Sequence, residues 1–107
     1  MFTTTPRIER LTVLVQADSF NQSAHFLLGQ EYLQEGRYME AVAKFRRVVE
    51  LNPESAEGWF MLGTAYEKTQ IPKEARTAYG TALTVADRLT DVQTASKAKE
   101  ALQRLES

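Results

Sequence analysis

Slid against itself by 34 positions, this sequence matches itself along its middle. Leu28-Gly29 falls on Leu62-Gly63, Tyr32 on Tyr66, Glu40-Ala41 on Glu74-Ala75, and Phe45 on Tyr79. With only five Gly and four Tyr in 107 residues, chance alignment of two of each at one offset is improbable. A period of this length confines the fold. Each unit is one supersecondary motif that cannot bury its apolar face alone, so it must stack on its neighbour.

The repeated residue types have helical spacing. Leu28 and Tyr32 are four apart and share one face of a helix. Gly29 beside them leaves room for a neighbouring helix to approach. Ala41, Phe45 and Val48 fall at i, i+4 and i+7 and make a narrow apolar stripe on a second helix. Small Ala against large Phe gives the fit that antiparallel helices need. In the second unit Trp59, Phe60, Met61 and Leu62 widen the apolar face. No strand-like alternation is present. The punctuation agrees: Gly36 can close a helix in the left-handed conformation, and Asn52-Pro53 ends one because the residue before Pro disfavours the α region. Pro72 suits a first helical position. Ser19-x-x-Gln22 and Thr90-x-x-Gln93 have the form of capping boxes. These signals predict six helices, near 6–18, 22–35, 38–51, 55–69, 72–88 and 91–105.

Trp59, Leu62, Gly63, Tyr66, Ala75, Tyr79 and Ala82 in one unit, and Leu28, Gly29, Tyr32, Ala41, Phe45 and Pro53 in the other, follow the pattern W-x2-L-G-x2-Y…A-x3-F…P. Over residues 20–89 the chain therefore resembles the tetratricopeptide repeat (TPR) family. The resemblance implies an all-α, right-handed helix-turn-helix solenoid of about six antiparallel helices, with residues 1–107 forming one domain. Repeat 1 is expected at 22–55 and repeat 2 at 56–89, between an N-terminal flanking helix at 6–18 and a capping helix at 91–105. In the flanking helix Leu11 falls under Phe45 and Leu14 under Val48, as in a degenerate second helix of a preceding half-repeat. The last segment is one-sided, with Val92, Ala95, Ala98, Leu102 and Leu105 apolar, as a polar cap on a solenoid end should be. There are departures from the pattern. His25 stands where Trp59 does, and Ser19 where Pro53 does. Asp87 replaces the closing Pro, so that helix can run on to about Arg88. Gln70 replaces Gly36 at the inter-helix turn, where a left-handed Gln costs about 1 kcal/mol or more.

Composition narrows the function. Lys+Arg 13 against Asp+Glu 14 gives a net charge of −1, which argues against a dedicated nucleic-acid binder. The absence of cysteine removes disulfides, thiolate metal sites and Cys nucleophiles. No apolar run approaches the ~20 residues of a membrane span, and Met1-Phe2-Thr3-Thr4-Thr5-Pro6 lacks the features of a secretory signal, so a cytoplasmic protein without membrane attachment is expected. No phosphate-cradling, metal-binding or nucleophile–base motif occurs, so neither enzyme activity, metal nor cofactor is expected. His25, the one histidine, reads either as a base or ligand lacking its partners, or as a packing residue replacing Trp at a partly exposed edge. Lys44, Arg46 and Arg47, with Arg37 nearby, could touch phosphate, but Glu40–Lys44 and Arg46–Glu50 are ordinary i, i+4 surface pairs.

In the TPR family the first helices of the repeats line a concave groove that binds peptides or partner helices. The resemblance places Ser23, Phe26, Gln30, Leu33 and Gln34, then Glu57, Phe60, Thr64, Glu67 and Lys68, on that surface. Phe26 and Phe60 share one repeat position and should stand side by side as an apolar anchor; the alternative is that a flanking helix covers them. The family's clamp for acidic C-termini is not expected, because its Lys and Asn positions hold Phe26, Gln30 and Met61 here. The reading is a non-enzymatic protein–protein interaction module for a protein or peptide partner. The alternative is self-association as a homodimer through the same surface or the Val92–Leu105 face.

Overall fold

The structure is a computed structural model and describes residues 4–106. Six α-helices follow in order: α1 (Pro6–Ala17), α2 (Gln22–Gln34), α3 (Tyr38–Leu51), α4 (Ala56–Lys68), α5 (Pro72–Leu89) and α6 (Val92–Glu106). Among the described residues there is no strand. The predicted helix boundaries agree to within one or two residues.

Four of the six starts obey one rule, though not at the residues the capping-box pattern indicated. Thr5, Asn21, Ser55 and Asp91 each accept a hydrogen bond from the backbone N–H three residues on, at 3.0–3.1 Å. Ser19 and Thr90 therefore do not cap. Asn21 and Asp91 lie nearer the first helical turn, and Thr90 is occupied in ending the preceding helix. Three helices end alike. Gly36 (φ 74°), Gln70 (φ 63°) and Thr90 (φ 61°) are left-handed. The following N–H of Arg37, Ile71 and Asp91 returns to the carbonyl of Tyr32, Tyr66 and Ala86 at 2.8–2.9 Å. Only the first of these turns uses glycine; Gln70 was expected to carry the strain, and Thr90 was not.

Each helix packs on the next in sequence, and α4 also meets α6. The repeated glycines explain how closely. A Cβ on Gly29 would meet the Phe45 ring at 2.8 Å, and one on Gly63 the Tyr79 ring at 2.7 Å. These two aromatic rings, with Leu28, Val48 and Ile8, are the largest fully buried side chains. α1 packs chiefly on α2 and buries Ile8, Leu11 and Val15. Leu14, expected to be covered as Val48 is, stays 48% exposed. A helix covered along one side buries a single stripe, and Leu14 falls on its flank.

His25 is 5% exposed, not at a partly exposed edge. Its Nε2 lies 2.9 Å from the Ser19 carbonyl, the geometry by which Trp59 Nε1 donates to the Pro53 carbonyl, also at 2.9 Å. Arg47 crosses to the same Ser19 oxygen and helps to cover the turn. With Nε2 as the donor, Nδ1 is a buried acceptor with no partner among the described residues. The basic cluster also pairs differently from expectation. Arg37 binds Glu40, Arg47 sits 3.6 Å from Glu50, and Arg46 donates to the Tyr66 hydroxyl at 2.7 Å. Arg37 forks onto Glu40 and Arg47 turns its Nε and Nη2 to the Ser19 carbonyl, while Arg46 reaches across to α4.

Candidate functional site

Four of the residues assigned to the groove from sequence, Phe60, Thr64, Glu67 and Lys68, come together around a concavity of about 570 Å³. Sequence reasoning did not supply its other walls. Tyr79 reaches in from α5, and Lys97, Glu100 and Arg104 come from α6. The chain brings them there because α5 has 18 residues where α3 has 14, running past Asp87 in place of the helix-ending proline. The Thr90–Asp91 turn then folds α6 back across α4. The signal available in the sequence was Asp91: counted from its cap rather than by the 34-residue period, α6 registers on α4.

The polar side chains of this groove are tied together. The Tyr79 hydroxyl donates to Glu67 at 2.7 Å and lies 3.3 Å from the Thr64 hydroxyl. Arg104 donates to the same Glu67 carboxylate at 2.6 Å. Burial pushes the Tyr79 phenol up to about 12, so it remains a donor. Burial also works to raise the Glu67 carboxyl, but hydrogen bonds from Arg104 and Tyr79 outweigh it and hold that group below its usual range. Glu67 is thus an anionic hub fixing α4, α5 and α6 relative to one another, rather than a free recognition group. Lys68 is exposed at the rim.

The two aromatic anchors are placed differently. Phe60 is half-buried, tilted against Tyr79 at 5.4 Å, with the Lys97 ammonium 5.0 Å above its ring. α6 therefore covers part of that ring. Phe26 meets Phe45 edge-on at 5.6 Å and lines a separate concavity of about 370 Å³ with Ser23, Leu27 and Glu57. Gln30 is half-buried, Leu33 packs against the main core cluster, and Gln34 is exposed. No trio of His, Cys, Asp or Glu that could hold a metal ion is formed among the described residues. Nor is any helix there long and apolar enough to cross a membrane.

A family model of the tetratricopeptide repeat matches residues 26–91. The chain belongs to the tetratricopeptide repeat family. Comparison with curated proteins gives no match. Among solved structures, this TPR chain is similar to PcrH in complex with the chaperone binding region of PopD. The TM-score is 0.87 at 14% identity, over 92% of this chain and 75% of that one. It is also similar to protein BPP2914 from Bordetella parapertussis, with TM-score 0.79 and 24% identity over 92% and 86% of the two chains. A third is the first TPR of Spaghetti (RPAP3) bound to an HSP90 peptide, with TM-score 0.71 and 21% identity over 90% and 77%. At these identities the likeness is one of fold.

Proposed function

We propose that this TPR chain is a non-enzymatic protein–protein interaction module that docks a peptide or helix of a partner protein in the groove lined by α4 and α6 and continued by α2. The observation that carries this reading is the concavity of about 570 Å³ where Phe60, Thr64 and Lys68 meet side chains of α6. Its half-buried aromatic floor supplies apolar contact, and the exposed Lys68, Lys97 and Glu100 offer orienting charges. Two structures of the same fold hold a protein segment or a peptide, which supports the class of partner. Phe26, Gln30 and Leu33 extend the surface along α2. Binding rather than turnover is the activity proposed.

The test is affinity capture from source-cell lysate with wild type beside Phe26→Ala/Phe60→Ala. Loss of an aromatic anchor should cost about 1–3 kcal/mol of binding, enough to deplete the partner from the variant's eluate. Equal capture by both proteins moves the site away from this face. Recovery of further copies of the chain alone would instead indicate self-association.

A further inference from the structure

A second concavity, of about 550 Å³, lies where α3, α4 and α5 meet, and it shares no lining residue with the groove. Val49, Trp59, Leu62 and Ala78 form its apolar wall, and Tyr66 and Glu74 stand beside them. The same place in repeat 1, 34 residues earlier, is furnished differently. There Arg37 lies 4.6 Å from the centre of the Tyr32 ring and forks onto Glu40. Lys44 is half-buried, and its charge acts on both Glu40 and His25. In repeat 2 both cations are gone: Ile71 replaces Arg37 and Ala78 replaces Lys44. Tyr66 and Glu74, the counterparts of Tyr32 and Glu40, keep their places. Glu74 is exposed and forms no ion pair among the described residues. Arg46, the one cation lining the cleft among the described residues, is directed onto the Tyr66 hydroxyl.

We propose that this cleft binds a basic segment of a partner protein, which supplies from outside the Lys or Arg side chain that repeat 1 supplies for itself. The aliphatic stem of that side chain lies along Trp59 and Leu62, and its charged head reaches Tyr66 and Glu74. The chemistry is complementary on both counts. A long cationic side chain buries its methylenes on apolar surface while its head stays wet, and a tyrosine ring face attracts a cation, as Tyr32 does Arg37 in repeat 1. The volume exceeds one side chain, leaving room against Val49 and Ala78 for an aliphatic neighbour one helical turn away on the partner. Because the cleft and the groove share no lining residue, this inference stands or falls separately from the proposed groove.

Trp59 is the sole tryptophan and lines the cleft, so its emission reports occupancy. The probe is the capped peptide acetyl-Ala-Leu-Ala-Ala-Arg-Ala-Leu-amide, compared with its counterpart carrying Glu in place of Arg. The Arg peptide should shift Trp59 emission saturably, and the Glu peptide should not. Glu74→Gln should weaken the Arg peptide about threefold to fivefold, the upper part of the range for a solvent-accessible charge pair, while Phe26→Ala/Phe60→Ala should leave it unchanged. Ala78→Lys, which restores the side chain of repeat 1, should abolish the shift. If that buried substitution unfolds the chain, Glu74→Gln decides. Unresponsive emission, equal response to both peptides, or undiminished affinity of Glu74→Gln overturns the proposal. So does emission that changes with protein concentration alone, which assigns the cleft to a second copy.

Discussion

A methyl group added at Gly63 would lie 2.7 Å from the Tyr79 ring, whereas at Gly80 nothing lies within 4 Å. The two helical glycines should therefore respond oppositely to alanine. Gly63→Ala overpacks a helix–helix contact and is expected to lose about 1–3 kcal/mol; Gly80→Ala should gain about 0.5–1 kcal/mol by restraining the helix backbone where there is open space. Thermal melts separate them, at about 4–8 °C per kcal/mol for a domain near this size. At the left-handed turns, Thr90→Gly relieves a β-branched residue and should stabilise by about 1–2 kcal/mol in urea titrations. His25 brings pH into play. Burial, the largest influence, lowers its pKa from the ordinary 6.5, against the hydrogen bond from the ring to the Ser19 carbonyl, which favours the charged form. The folded state thus binds fewer protons than the unfolded one across that interval. Its contribution is complete above about pH 6.5 and is lost as pH falls toward the lowered value. Urea midpoints should fall between pH 7 and 5 in wild type, and fall less in His25→Trp, which adopts the bonding of Trp59. An equal fall in both would remove His25 as the cause.

Among the helices, α6 is the one whose role the repeat period does not reveal. Counted from their capping residues Asn21, Ser55 and Asp91, the glycines that admit Phe45 and Tyr79 correspond to Lys99 on α6. That exposed lysine occupies the place where a further second helix would seat its aromatic ring, so α6 departs there from the first helix of either repeat. Its inner face of Ala95, Ala98 and Ala101 is small and lies close on α5, while Arg104 reaches Glu67 on α4. Removing residues 92–107 would uncover Tyr79 and Ala86 together. Such a chain should lose its cooperative thermal transition. Arg104→Ala, in contrast, should lower the melting temperature by a few degrees at most, since the arginine is solvent-accessible and Glu67 keeps its hydrogen bond from Tyr79.

At the scale of the whole molecule the stack is a slab of 37 × 30 × 19 Å, in which each helix is secured mainly by its sequence neighbours. Stability in such a fold grades along the chain. α1 is held from one side, by Ile8, Leu11, Val15 and the Arg7–Glu31 ion pair. α3 and α4 are packed from both sides around Phe45, Val49, Leu62 and Ala65. Native-state hydrogen exchange should therefore be fastest in α1 and slowest in α3 and α4. Uniform protection along the chain would mean the helices open as one unit.

The sequence by itself determined the helices and the family, because both are written in local and periodic chemistry. Leu28, Gly29, Tyr32 and their counterparts 34 residues on must recur wherever the same packing recurs, and Pro53, Gly36 and Pro72 act on their own backbone. It also put Phe60, Thr64, Glu67 and Lys68 on one face of a single helix, and those side chains line one concavity. What only the tertiary structure decided depends on distances between elements. The closure of the concavity by α6, the locking of Glu67 by Tyr79 and Arg104, the covering of part of Phe60 by Lys97, and the depth of His25 all follow from how far α5 runs before it turns or from what crosses over a neighbouring turn. An internal repeat specifies that two faces meet. It does not specify where the last helix, which no longer obeys the repeat, comes to rest.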